Sequence, residues 1–309
     1  MIKKIPLPIA GLALGIAALG NLIGSYNMGA RLVLGVVSAV IFITLTMKIL
    51  LDIHSFKEEM KNPVIASVMA TYSMAGMLLA GYIQPYAGTF SYILWYLSII
   101  IHIGFIIYFT ITFATKFNKE TIVPSWFIVY VGIVVAAVNG NMFHPIVGKV
   151  AFYFGFISYI ILLIPIFNRL KNNKLPEKIA PTLAIVSAPG SLCVAGYVSI
   201  FDDKNTPFLI ALLVLAQLIY LFVLSTLPKL LKIKFYPSYS GLTFPLVISA
   251  IGLKFSTGYI GELGVNVSVL NVVVIIETII AIAIVAYVLI KYCQFMFHVQ
   301  KEKRVISAR

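Results

Sequence analysis

The sequence predicts an all-α polytopic membrane protein, with ten transmembrane helices arranged as five parallel helical hairpins in pseudo-five-fold symmetry around a central pore. Three observations predict it. Only 11% of the 309 residues are charged, and mean hydropathy is +1.03. A soluble surface takes about 25% charged residues, so lipid must be the solvent of this chain. Lysine and arginine alternate between heavily and lightly loaded connections. A proline returns at near-constant intervals, each interval holding two spans.

A helix needs about 20 apolar residues to cross the hydrocarbon core. The chain offers ten such stretches, at 6–24, 31–51, 64–83, 91–113, 124–141, 146–167, 181–200, 207–227, 237–255 and 267–291. The first follows Met-Ile-Lys-Lys and could imitate a signal peptide. Pro6 and Pro8 stand where the apolar core of a leader would begin, so it is read as a span. No polar stretch is long enough for a separate domain. Residues 1–309 therefore form a single transmembrane domain with repeats at about 6–51, 63–113, 124–167, 181–227 and 237–291.

Orientation follows from the basic residues. One set of connections carries 19 of the 23: Lys3, Lys4, Lys48, Lys57, Lys61, Lys116, Lys119, Arg169, Lys171, Lys174, Lys178, Lys229, Lys232, Lys234, Lys291, Lys301, Lys303, Arg304 and Arg309. The other set carries Arg31, Lys149, Lys204 and Lys254. Dropping one helix would scramble this alternation. Both termini are expected in the cytoplasm and the protein in the cell's inner (plasma) membrane. The net charge of +13 belongs to this pattern and not to a nucleic-acid surface.

The repeat is marked by Pro6, Pro63, Pro124, Pro181 and Pro237, at intervals of 57, 61, 57 and 56 residues. Proline suits a first helical turn, where its missing N–H would be unpaired anyway. Odd spans are rich in Gly and Ser, as at Gly11, Gly15, Gly190, Ser240 and Gly241; even spans are bulkier, as in Tyr92-Ile-Leu-Trp-Tyr-Leu97. Small residues permit close approach or leave space at an axis. The odd helices are thus expected inside and the even ones outside. Pro189 and Pro245 fall within odd spans. They are expected to leave the carbonyls of Ile185 and Gly241 unpartnered and to kink their helices toward a watery path.

No phosphate loop, zinc motif or nucleophile elbow is present in the sequence, so neither an enzyme nor a cofactor is expected. Cys193 and Cys293 stand too far apart for a metal motif and are expected as small buried apolar side chains. The inner spans carry almost no acid. Such a lining neither repels anions nor traps them, which is what rapid conduction needs. Lys254 either draws anions to the mouth or snorkels to the interface. Glu277 and His102 are the ionisable residues deepest in the spans; each is either a proton relay or a hydrogen-bonded packing group. Phe244 is either one of 21 packing phenylalanines or a ring set across a narrow pore.

Two stretches carry a resemblance. Pro6 to Leu19, P-L-P-I-A-G-L-A-L-G-I-A-A-L, and Ser240-Gly-Leu-Thr-Phe-Pro245 resemble the tellurite-resistance/dicarboxylate transporter family, which includes fungal malate permeases and the plant guard-cell slow anion channel. The resemblance implies ten helices in five hairpins around a pore, and a homotrimer with one pore per protomer. It implies a phenylalanine gate at Phe244, with Gly15 as the first-helix glycine beside it. The leading expectation is a gated channel for small inorganic, monovalent anions. The alternative is a proton-coupled transporter of malate-like C4-dicarboxylates or of tellurite and other oxyanions.

Overall fold

The computed structural model describes residues 5–116 and 122–307, with side chains described through 297. Lys3, Lys4, Lys119, Lys301, Lys303, Arg304 and Arg309, counted above for orientation, lie outside those described side chains. Every regular element among the described residues is helical. Eight helices are long and apolar enough to span a membrane, and two apolar helices are shorter. In chain order they are α1 (Ile9–Ile23), α2 (Met28–Leu51), α3 (Pro63–Ile83), α4 (Gly88–Ala114), α5 (Trp126–Val138), α6 (Pro145–Asn172), α7 (Glu177–Ile200), α8 (Thr206–Leu230), α9 (Pro237–Glu262) and α10 (Ser268–Phe297). These are multi-pass membrane proportions.

Starts are set by side-chain oxygens that take up orphan N–H groups. Asn27 accepts from Ala30 N at the head of α2, Asn62 from Val64 N and Ile65 N at α3, and Asn205 from Phe208 N at α8. Pro63, Pro145 and Pro207 occupy first-turn positions, where no N–H is missed.

Burial follows the small/bulky division of the sequence. Thirteen of the fifteen residues of α1 are buried. The apolar windows of α3 and α7 are 89% and 83% buried, against 22% for α2 and α4. The even helices show bare isoleucine and valine to the outside, as at Val36, Ile100, Ile161 and Ile275. In water such a face would aggregate; in lipid it is solvated.

Contacts fix helix directions. Ser38 Oγ donates to Ala13 O at 2.7 Å and Lys48 Nζ to Ile5 O at 2.7 Å, so α1 and α2 are antiparallel. Across α3 and α5, Ser67 Oγ bonds Ser125 Oγ at 2.6 Å and Asn139 Nδ2 donates to Met77 O at 2.7 Å, which makes them parallel. Between α7 and α9, Ser191 Oγ and Ser249 Oγ are 3.0 Å apart. Thr243 Oγ1 donates to Gly11 O at 3.0 Å and Lys254 Nζ to Leu22 O at 2.9 Å, so α9 runs parallel to α1. The bonded pairs Ser67–Ser125, Ser191–Ser249 and Asn141–Ser199 are each 58 residues apart, close to the proline interval. These bonds tie odd-numbered helices to one another at a sequence separation close to the proline spacing. A bond of this kind in a membrane contributes about 0.6 kcal/mol.

Pro189 and Pro245 do not fall in mid-helix as the sequence suggests. Each lies in the first turn of an α-helical stretch, Ala188–Ile200 and Thr243–Glu262, behind the 3-10 stretches Glu177–Ser187 and Pro237–Leu242. The Ile185 carbonyl accepts from the N–H of Ala188, so it is not orphaned. The helix is tightened before the proline instead of broken by it. α5 differs too from an unbroken 124–141 span. It passes through a 3-10 turn at Gly132–Val134 and stops at Val138, and Gly140–Phe143 forms a separate turn.

Candidate functional site: two cavities separated by Phe244

α1 and α9 pack with almost no side chain between them. A Cβ on Gly15 would lie 2.4 Å from Thr243 Oγ1 and 3.1 Å from the Phe244 nitrogen. A Cβ on Gly11 would lie 3.0 Å from Ser240 Oγ. The two glycines thus let the start of α9 lie directly on α1. Phe244 is the second residue of the Thr243–Glu262 stretch, only 6% exposed.

Two cavities lie along the inner helices. The first, about 40 Å³, sits toward the N-terminal ends of the odd helices. All five contribute to it: Gly11 of α1, Thr71 of α3, Phe127 of α5, Pro189 of α7, and Ser240 and Gly241 of α9 among others, with Pro245 also on its wall. The second, about 310 Å³, sits toward their other ends. Its polar lining is Asn21, Arg31, Asn139 and Asn141. Phe244 and Leu192 line both cavities, and Leu192 is 2% exposed. The two side chains thus belong to the walls of both. Among the described residues, no carboxylate lines either space.

The larger cavity is electropositive through Arg31. Its Nε donates to Asn21 Oδ1 at 3.2 Å, and its guanidinium carbon lies 4.6 Å from the centre of the Tyr82 ring. Tyr82 is itself held by its hydroxyl, which donates to Ala17 O at 2.6 Å. The amides behind it are fixed: Asn139 bonds Met77 O and accepts from Trp95 Nε1, and Asn141 donates to Ser199 O. Arg31 was one of four outer cations in the sequence. What singles it out is the contact with Asn21 and Tyr82, which no local pattern records.

The remaining candidates lie elsewhere. Lys254 lines neither cavity. Its ammonium donates to Leu22 O and to the Ser25 hydroxyl and sits 4.4 Å from the centre of the Tyr26 ring, pinning α9 to the end of α1. Gly190 lines neither; a Cβ there would meet the Tyr159 hydroxyl at 3.0 Å and Ala216 at 3.2 Å, toward the outer helices. His102 is fully buried between Ser73 Oγ at 2.8 Å and Val129 O at 3.1 Å, tying α4 to α3 and α5. Glu277 is 3% exposed on α10, with Gln217 of α8 as its hydrogen-bond neighbour and Oε2 unpartnered. Neither His102 nor Glu277 reaches the cavities. Both cysteines are free; Cys193 is buried as expected, but Cys293 is exposed, because it lies on the outward face of α10.

No match is found among curated proteins. A model of the voltage-dependent anion channel family matches residues 5–293, nearly the whole chain and both stretches that carry the resemblance to the tellurite-resistance/dicarboxylate transporters. With that match over a helical, multi-pass architecture, the chain belongs to the voltage-dependent anion channel family.

Proposed function

We propose that the protein is a gated channel for small monovalent anions, with ten spans in five hairpins around a pore that Phe244 occludes at rest. The observation that supports this reading is a pair of cavities along the inner helices whose walls share Phe244. A ring in a narrow, apolar constriction excludes water and so blocks ions. Among the described residues no carboxylate lines the cavities to repel an anion, and Arg31 gives the wider one a positive charge. Selectivity then comes from dehydration and field, without a tight site. Both cavities lie within a single chain, which supports one pore per protomer in the homotrimer that the resemblance implies.

The alternative, proton-coupled transport of C4-dicarboxylates or oxyanions, needs a titrating group on the path. Glu277 and His102 are the candidates, and both stand off it. The test is chloride flux from proteoliposomes. Phe244→Ala raises it strongly, while Glu277→Gln and His102→Ala leave it at the level of the parent. Proton-dependent malate uptake abolished by either of the latter would make the carrier the correct reading.

A further inference from the structure

A third space lies outside the inner helices. It is a groove of about 670 Å³ between α2 and α4, floored by α3 and closed at one end by the short helix Ile53–Glu59. We propose that this groove binds one anionic phospholipid, with an acyl chain in the groove and the headgroup phosphate at Lys57 and Lys61.

The groove is built to take a chain. Its walls include Ile49, Leu50, Phe56, Ile101 and Phe105. The hydroxyls that could wet it are tied back: Tyr72 bonds Thr46 at 2.7 Å, and Tyr108 donates to Met60 O at 3.0 Å. Phe42 stacks on Tyr72 at 4.4 Å and stiffens the floor. Gly104 leaves the middle of the α4 wall open, because a Cβ there would meet nothing within 4 Å. From Ile101 to Tyr108 the wall rises about 10 Å along the helix axis.

Charge picks the headgroup. Lys57 and Lys61 stand at the end of the groove on the heavily basic side of the protein, and no carboxylate lines it among the described residues. The nearby acids have other partners. Glu59 accepts from the buried Lys48 at 2.7 Å, and Asp52 caps the short helix at Ser55 N. Glu58 bonds Lys61 at 2.8 Å in an exposed pair, which is weak in water and readily shared with a phosphate. Basic residues at this depth favour anionic over zwitterionic lipid.

Native mass spectrometry of the delipidated protein tests this, with phosphatidylglycerol and phosphatidylethanolamine added in turn. The parent retains phosphatidylglycerol preferentially. Lys57→Ala/Lys61→Ala lowers that preference roughly ten-fold. Gly104→Leu fills the groove and removes the adduct, with thermal unfolding unchanged because the added side chain enters open space. Equal retention of both lipids by the parent, or adducts that survive Gly104→Leu, would overturn the proposal. A change of oligomeric state in Gly104→Leu would also overturn it, by assigning the groove to a second copy of the chain.

Discussion

At the residue scale the account turns on a few side chains around the two cavities. Arg31 stands in the wider one with a hydrogen bond to Asn21 and a ring contact to Tyr82. Such a charge concentrates anions at the entrance and is screened by salt. Arg31→Ala is therefore expected to lower single-channel conductance severalfold in 20 mM chloride and little in 1 M chloride, on the Phe244→Ala background that conducts. Lys254→Ala is not expected to show this salt dependence, since its ammonium is occupied by Leu22 O and Ser25. The sequence separated these two lysine and arginine residues poorly. Both read as outer cations, and only the folded contacts to residues of α1 and α3 tell a cavity charge from a structural pin. The Ser-Gly-Leu-Thr-Phe-Pro stretch drew attention to Phe244; that it lines two cavities was not legible in the sequence.

At the element scale the closeness of α1 and α9 positions the ring. Gly15→Ala would force a methyl to within 2.4 Å of Thr243 Oγ1 and near the Phe244 backbone. Overpacking of this kind costs about 1–3 kcal/mol. Thermal unfolding in detergent should show a lower Tm for Gly15→Ala and no change for Gly104→Ala, whose Cβ meets nothing. The order and approximate extent of the apolar helices were readable from hydropathy, because lipid imposes a length and a composition on each. The inner irregularities were not. The 3-10 stretches of α7 and α9 stand directly before the α-helical stretches that hold Pro189 and Pro245, and Gly132 of the α5 3-10 turn lies where a Cβ would meet Met74 Sδ at 2.7 Å and His102 Cε1 at 3.0 Å. Neighbours such as Met74 and His102 lie on other helices, so the sequence of one span cannot reveal them.

At the scale of the whole molecule, basic residues alternate between heavily and lightly loaded connections along the sequence, and burial separates an inner set of helices from an outer one. The sorting gives an orientation that can be checked in intact cells. With Cys293→Ser as background, Asp203→Cys is expected to react with a membrane-impermeant maleimide and Lys174→Cys only after lysis; Cys193 is buried and should stay silent. The reverse pattern would invert the protein in the membrane. The regular proline spacing suggested a repeat, and the bonded serine pairs Ser67–Ser125 and Ser191–Ser249 are separated by a similar 58 residues.

The central claim is that an anion path exists and that the Phe244 ring closes it. Current across a planar bilayer under a chloride gradient tests it most directly, comparing the parent with Phe244→Leu and Phe244→Ala. The account predicts a nearly silent parent, conductance that rises as the side chain shrinks, and a reversal potential close to that of chloride. Silence in all three, or a current reversing at the cation potential, would contradict it.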